Sequence, residues 1–169
     1  MKILVTWLSQ TGNTQKVAEA IFNALPGEKI MKPIDEVETL DGFDLTFIGF
    51  PVMQLGPPVA AAKFIATLAA GRKIALFVTH AMFTTSDDPG QQAMLEKELE
   101  KCRKICANSN LIDMFHCQGE LSEKVAKELM SSNIPMLMAF AAMQPLTAGH
   151  PDKQELEQAA AFAGKVITY

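Results

Sequence analysis

Ser9-Gln10-Thr11-Gly12-Asn13-Thr14 is the stretch of this chain richest in groups that hold an anion. It follows an apolar run, Ile3 to Leu8, and precedes a segment of helical period, so it falls where a strand hands over to a helix. The first turn of a helix carries unpaired N–H groups and a partial positive charge, and both favour a phosphate. Gly12 lets the backbone close tightly around such a group, while Ser9, Thr11 and Thr14 add hydroxyls and Asn13 an amide. Neither Lys nor Arg occurs in the stretch, so a dianion there is held by neutral donors and backbone dipoles. The Gly-Lys-Ser/Thr ending of an ATPase loop is missing, as are the three spaced glycines of a dinucleotide fold. The plain alternative is a helix cap, in which Ser, Thr and Asn only start the helix.

Four other places carry reactive side chains. Cys102 and Cys106 lie one helical turn apart, the spacing of a redox pair or half a metal site, but they continue the apolar stripe of Leu95 and Leu99 and read as core residues. Cys117 ends an apolar strand beside His116, the one neighbour that could lower a thiol pKa. His80 closes the fourth strand, at the edge where open α/β sheets bind ligands; there it can hydrogen-bond a ligand or donate a proton, or be a plain loop residue. His150, before Pro151, reads as a helix-entry residue. No His, Cys, Asp and Glu cluster has zinc-like spacing, and no Gly-x-Ser-x-Gly elbow marks a hydrolase.

These groups must be placed by an alternation of short apolar runs and amphipathic segments. The runs are Ile3–Leu8, a weaker one near Lys29–Met31, Leu45–Phe50, Lys73–Thr79 and Leu111–Cys117. A helix from Thr14 to Leu25 carries Val17, Ala18, Ile21 and Leu25 on one face, and Pro26-Gly27 stops it. Pro58 suits the first turn of a second helix with Ala61, Phe64, Ile65 and Leu68 inward. A polar loop with Asp87-Asp88-Pro89-Gly90 leads to the helix of Leu95, Leu99, Cys102 and Cys106. Pro151 begins a last helix with the stripe Leu156, Ala160, Ala163 and Ile167. Ser131 to Ala148, with Met136, Met138, Phe140 and Met143 among alanines, reads as a short packed helix, the other reading being an exposed Met-rich docking surface.

Unbroken apolar strands, each followed by an amphipathic helix, indicate an α/β fold whose five-stranded parallel sheet is covered on both faces. No linker or repeat divides residues 1–169, which read as one domain. The formal charge of −4 and the lack of a basic, aromatic-laced run exclude a nucleic-acid surface. No apolar stretch reaches membrane-spanning length, and the apolar start is too short for a secretory segment. Three cysteines cannot all pair, which fits a reducing cytoplasm.

Ser9-Gln10-Thr11-Gly12-Asn13-Thr14 resembles the Ser/Thr-x-Thr-Gly-Asn-Thr phosphate loop of flavodoxins, and the resemblance extends along the chain in strand succession and length. It implies a three-layer sandwich with sheet order 2-1-3-4-5 and FMN in the crevice beside the first strand. It further implies that the loops Pro51-Val52-Met53-Gln54-Leu55-Gly56 and Thr79-His80-Ala81-Met82-Phe83 clasp the isoalloxazine ring, with Met53, Leu55, Met82 and Phe83 on its faces. The chain departs from the family in three ways. Its only Tyr is Tyr169 and its only Trp, Trp7, lies in the first strand, which leaves Phe83 to stack on the ring. Gln54 stands near the place where flavodoxins often have glycine, and it resists a positive φ, with Gly56 as a substitute at hand. A charge of −4 is mild for a carrier steered to basic partners. The function implied is an electron carrier between a reductase and an acceptor enzyme, both proteins. The alternatives are an FMN-dependent NAD(P)H reductase of a quinone or similar small oxidant, and a binding module of this fold without flavin.

Overall fold

The computed structural model describes residues 1–83 and 88–169, so Asp87 of the expected polar loop lies outside the described residues. Strands β1 (Lys2–Trp7), β2 (Glu28–Pro33), β3 (Leu45–Pro51), β4 (Lys73–His80) and β5 (Asn110–Gln118) form a sheet of order β2-β1-β3-β4-β5. Every neighbouring pair is parallel. The helices among the described residues are α1 (Asn13–Ala24), α2 (Val59–Leu68), α3 (Pro89–Lys104), α4 (Glu123–Met130), α5 (Pro135–Ala142) and α6 (Lys153–Val166). Each expected strand is present within a residue or two of its expected ends, and the sheet order implied by the flavodoxin resemblance is the order found.

Alternation along the strands divides the core in two. Leu4, Ile48, Phe50, Leu76 and Val78 point to one face and meet Ala61, Phe64 and Ile65 of α2 and Leu95, Leu99 and Cys102 of α3. Ile3, Val5, Trp7, Phe47, Ala75 and Phe77 point to the other and meet Val17, Ala18 and Ile21 of α1 and Ala159, Phe162, Ala163 and Val166 of α6. Each large apolar side chain so buried is worth about 1.5–3 kcal/mol, which is what holds the helices on the sheet.

Two expectations need correction, and one helix was not expected at all. The buried stripe of α6 is Glu155, Ala159, Phe162, Ala163 and Val166, one residue round from the expected one, with Leu156 and Ile167 at its border. On this face Phe162 meets Phe47 edge-on at 6.0 Å and Phe115 at 5.7 Å. Helix α4 was not foreseen, although Ser122 caps it by accepting from the Val125 N–H. The Met-rich segment does form a helix, α5, but not a packed one: of its residues only Ala141 is buried, Met136 is 61% exposed, and Leu146 just beyond is 66% exposed.

Candidate functional site

In a parallel sheet all strands end at the same edge, so the loops after β1, β3, β4 and β5 gather there. Backbone bonds lace them together. Leu8 N–H donates to Gly49 O at 2.8 Å, Val52 N–H to Thr79 O at 2.8 Å, and Gly119 N–H to His80 O at 2.8 Å.

The loop after β1 leads into α1 with Gly12 at φ +89°, the left-handed region glycine enters freely, and no side chain caps the helix. The candidate caps are engaged elsewhere. Ser9 Oγ accepts from the Gly12 N–H at 3.1 Å, Thr14 Oγ1 shares a buried 2.8 Å hydrogen bond with Thr79 Oγ1, and Asn13 Nδ2 donates to Glu120 O at 2.9 Å. Lys16 N–H reaches Gly12 O, whereas the N–H groups of Asn13, Thr14 and Gln15 make no hydrogen bond among the described residues. By contrast α3, α4 and α6 are capped by Asp88, Ser122 and Asp152. No side chain therefore caps α1, and its first turn stands at the place where these loops meet.

That place is a cavity of about 360 Å³ lined by Ser9, Gln10, Thr11, Asn13, Thr14, Pro51, Val52, Met53, Gln54, Thr79, His80 and Ala81. Gly12 shapes the loop beside it without lining it. No Lys or Arg lines it, and Glu120 and Glu128 do, so a phosphate there depends on amides and hydroxyls. Beside it opens a more apolar chamber of about 370 Å³ that shares Val52, Gln54, His80 and Ala81. Leu55, Met82 and Phe83 line this chamber, whereas Met53 lines the polar cavity.

Sequence reasoning missed the far wall. Gly119 to Ser122 follow β5, and Val125 and Leu129 of α4 border both cavities, while Met136, Phe140 and Met143 close the apolar one. The signal for residues 119–122 was available, since a fifth parallel strand must deliver its following loop to the same edge. Gly119 permits the closest approach of the two loops: a Cβ there would lie 3.0 Å from Asn13 Nδ2 and 3.3 Å from Asn13 Cβ.

Met53 and Gly56 exchange backbone bonds, 2.8 Å from Met53 N to Gly56 O and 3.1 Å from Gly56 N to Met53 O. This closes a two-residue turn with Gln54 at φ +50° and Leu55 at φ +61°. The positive φ thus falls on Gln54 and Leu55 and not on Gly56. Two side-chain-bearing residues in the left-handed region cost on the order of 1 kcal/mol each, and such turns favour Asn-Gly.

His80 is 3% exposed. Its Nδ1 lies 3.0 Å from Met82 O and its Nε2 3.1 Å from His116 Nδ1. Burial, then the neighbouring His116, pushes its pKa down to about 3, and burial lowers His116 as well. His80 is therefore neutral with both nitrogens occupied, and it gives the crevice a fixed wall. Burial pushes the thiols of Cys102 and Cys106 up to about 12 and about 11, and that of Cys117 up too, so all three are core residues and poor nucleophiles. His150, Asp152 and Glu155 converge closely enough to hold a cation, but their contacts are those of the α6 capping box, with Glu155 Oε2 accepting from His150 Nδ1 at 2.6 Å and from Asp152 N–H at 2.8 Å.

The fold is a doubly wound parallel sheet with the first turn of α1 uncapped and an apolar chamber at its carboxyl edge, where open α/β sheets place their ligands. More narrowly, the chain belongs to the flavodoxin family: the family model for the flavodoxin domain matches residues 4–164. Among curated proteins it is similar to the flavodoxin-like domain-containing protein BilS of Clostridioides difficile (strain CD3), 28% identical over 176 residues that span 99% of this chain and 97% of the relative. Among solved structures, oxidised flavodoxin 2 from Bacillus cereus matches with a TM-score of 0.57 at 16% identity, covering 99% of each chain. The azoreductase from Bacillus anthracis str. Sterne matches with a TM-score of 0.56 at 15% identity, covering 98% of this chain and 99% of that one. At such identities these two structures show a shared fold alone. Among the described residues no helix is long and apolar enough to cross a membrane.

Proposed function

We propose that this protein binds FMN in the crevice and carries electrons between a reductase and an acceptor enzyme, in the cytoplasm. The observation that supports it most is the uncapped first turn of α1, whose Asn13, Thr14 and Gln15 amides open where a phosphate would sit although cap-forming side chains surround them. The residues present suit FMN: hydroxyls of Ser9 and Thr11 border the polar cavity, and Leu55, Met82 and Phe83 border an apolar chamber for a ring. Bound FMN would supply the redox chemistry, and the protein would set its potential through packing and hydrogen bonds. Three unpaired buried cysteines suit a reducing compartment. Exposed Ile134, Met136 and Leu146 and a mild charge of −4 favour partners met by apolar contact more than by electrostatic steering.

One observation favours a second reading, an FMN-dependent NAD(P)H reductase of a quinone or similar small oxidant: the chamber of about 370 Å³ continues the polar cavity and has an apolar lining suited to a small organic molecule. Reconstitution with FMN followed by stepwise anaerobic reduction separates the two. The carrier is expected to bind one FMN with a Kd below about 1 μM, to be reduced in two resolved one-electron steps, and to oxidise NAD(P)H negligibly by itself. A single two-electron step with rapid NAD(P)H oxidation selects the reductase, and failure to retain FMN overturns both.

A further inference from the structure

The turn that holds Gln54 and Leu55 in the left-handed region is gripped from another layer of the fold. Glu98 lies on the inner face of α3 and is 2% exposed, among Leu95, Leu99 and Cys102. A carboxylate buried there needs a partner. Lys101 supplies it, with Nζ 2.9 Å from both Glu98 oxygens. The same ammonium donates to the Leu55 carbonyl at 2.7 Å, across 46 residues of sequence. An ammonium has three donors, and here all three are used.

We propose that Lys101, fixed by Glu98, is a positioning residue that locks the Met53–Gly56 turn and so presents the Gln54–Leu55 peptide to the flavin. The Leu55–Gly56 peptide is tied at both ends, its carbonyl to Lys101 and its N–H to Met53 O. It cannot turn over without breaking both bonds. The peptide before it is in the opposite condition: neither the Gln54 carbonyl nor the Leu55 N–H makes a hydrogen bond among the described residues. Gln54 borders both cavities, so this open peptide lies at the rim between them. The clamp does what an Asn-Gly turn does by its own preference. Leu55 is not a residue that chooses φ +61°, and Lys101 makes that conformation persist.

The flavin part of this proposal rests on the function proposed above, so the test has one readout without flavin. In the flavin-free protein, Lys101→Met is expected to speed hydrogen exchange of the Gly56 amide about tenfold. In the FMN-loaded protein it is expected to weaken the FMN Kd about tenfold and to move the midpoint potentials. Because Lys101→Met leaves Glu98 buried and unpaired, the same readouts are taken on Glu98→Gln/Lys101→Met, which removes the clamp without stranding a charge. Leu55→Gly supplies the discriminating background: glycine adopts the turn unaided, so removing Lys101 there should change Kd and exchange by less than about twofold. Gly56 exchange and FMN Kd equal to wild type in the folded clamp-free double variant overturn the proposal, as does an equal loss with and without the Leu55→Gly substitution. If the wild-type protein binds no FMN, the flavin reading fails by itself. Gly56 exchange then decides whether Lys101 locks the turn.

Discussion

Acid should loosen this fold through His80, a group that borders both cavities. Met82 O can only accept, so His80 Nδ1 carries its proton toward that carbonyl, and the bare Nε2 accepts from His116 Nδ1–H. A second proton on His80 would have to enter at Nε2, against a donor already pointing there and in a site that is 3% exposed. This is why burial, followed by His116, lowers its pKa from 6.5 to about 3. In the unfolded chain the ring takes up a proton near the ordinary 6.5, and the folded protein refuses that proton until about 3. The unfolded state therefore binds more protons throughout this window, and the contribution of His80 to stability is complete above 6.5 and lost as pH falls toward 3. Integrating between the two values gives a loss of about 2 kcal/mol at pH 5 and about 3 kcal/mol at pH 4 relative to pH 7. His116 is lowered too and adds in the same direction.

The assay is urea unfolding of the flavin-free protein at pH 7 and pH 5, for wild type and His80→Gln, with the His80 Cε1 proton followed by NMR. The substitution removes the titrating group, so the stability gap between the two pH values should shrink by about 2 kcal/mol. An unchanged gap, or a His80 resonance that titrates near its ordinary pKa, would refute the account of a buried neutral histidine.

Thr79→Val keeps the side-chain shape but leaves Thr14 Oγ1, in a residue 1% exposed, without its partner; the expected loss is about 1–3 kcal/mol, read from urea unfolding. Gly119→Ala drives a Cβ to within 3.0 Å of Asn13 Nδ2 and displaces the bond to Glu120 O. Its expected mark is an FMN Kd about tenfold weaker with the thermal midpoint of the flavin-free protein nearly unchanged, measured by flavin fluorescence and melting.

What the sequence displayed was the part of the fold governed by local pattern. The apolar runs of β1, β3 and β4 and the stripes of α1, α2 and α3 are legible because those strands are buried on both faces, whereas the half-exposed edge strand β2 gives a weaker signal. The loop after β1 is legible because its donors are consecutive. The α4–α5 pair is not, since α4 has no buried residue and α5 one, so neither carries a full core stripe. Glu98 and Glu155 were unreadable for a different reason: a charged residue is ordinarily solvated, and only the fold reveals the partners that let these two be buried. The rotation of α6 follows from Glu155, because placing that carboxylate inside moves the stripe from Leu156 to the neighbouring row.

Those two carboxylates brace opposite rims of one crevice. Glu155 accepts from the Gln118 N–H at 2.8 Å and from His150, fixing the end of β5 and the segment that pairs with it. His150 O in turn accepts from the Glu120 N–H at 2.9 Å, and Glu120 O accepts from Asn13 Nδ2 of the loop after β1. Glu98 works through Lys101 on the Met53–Gly56 turn. In both cases the side chain ends on backbone in or beside a loop that borders the crevice. Amides and carbonyls go wherever their loop goes, so side-chain identity alone does not hold them in place. Rigidity has to be supplied from outside the loops, and a buried ion that must keep its hydrogen bonds is a stiff support, because releasing it costs several kcal/mol. The stabilising work of these charges is thus directed less at the core around them than at the loops they hold, where preorganisation is converted into affinity.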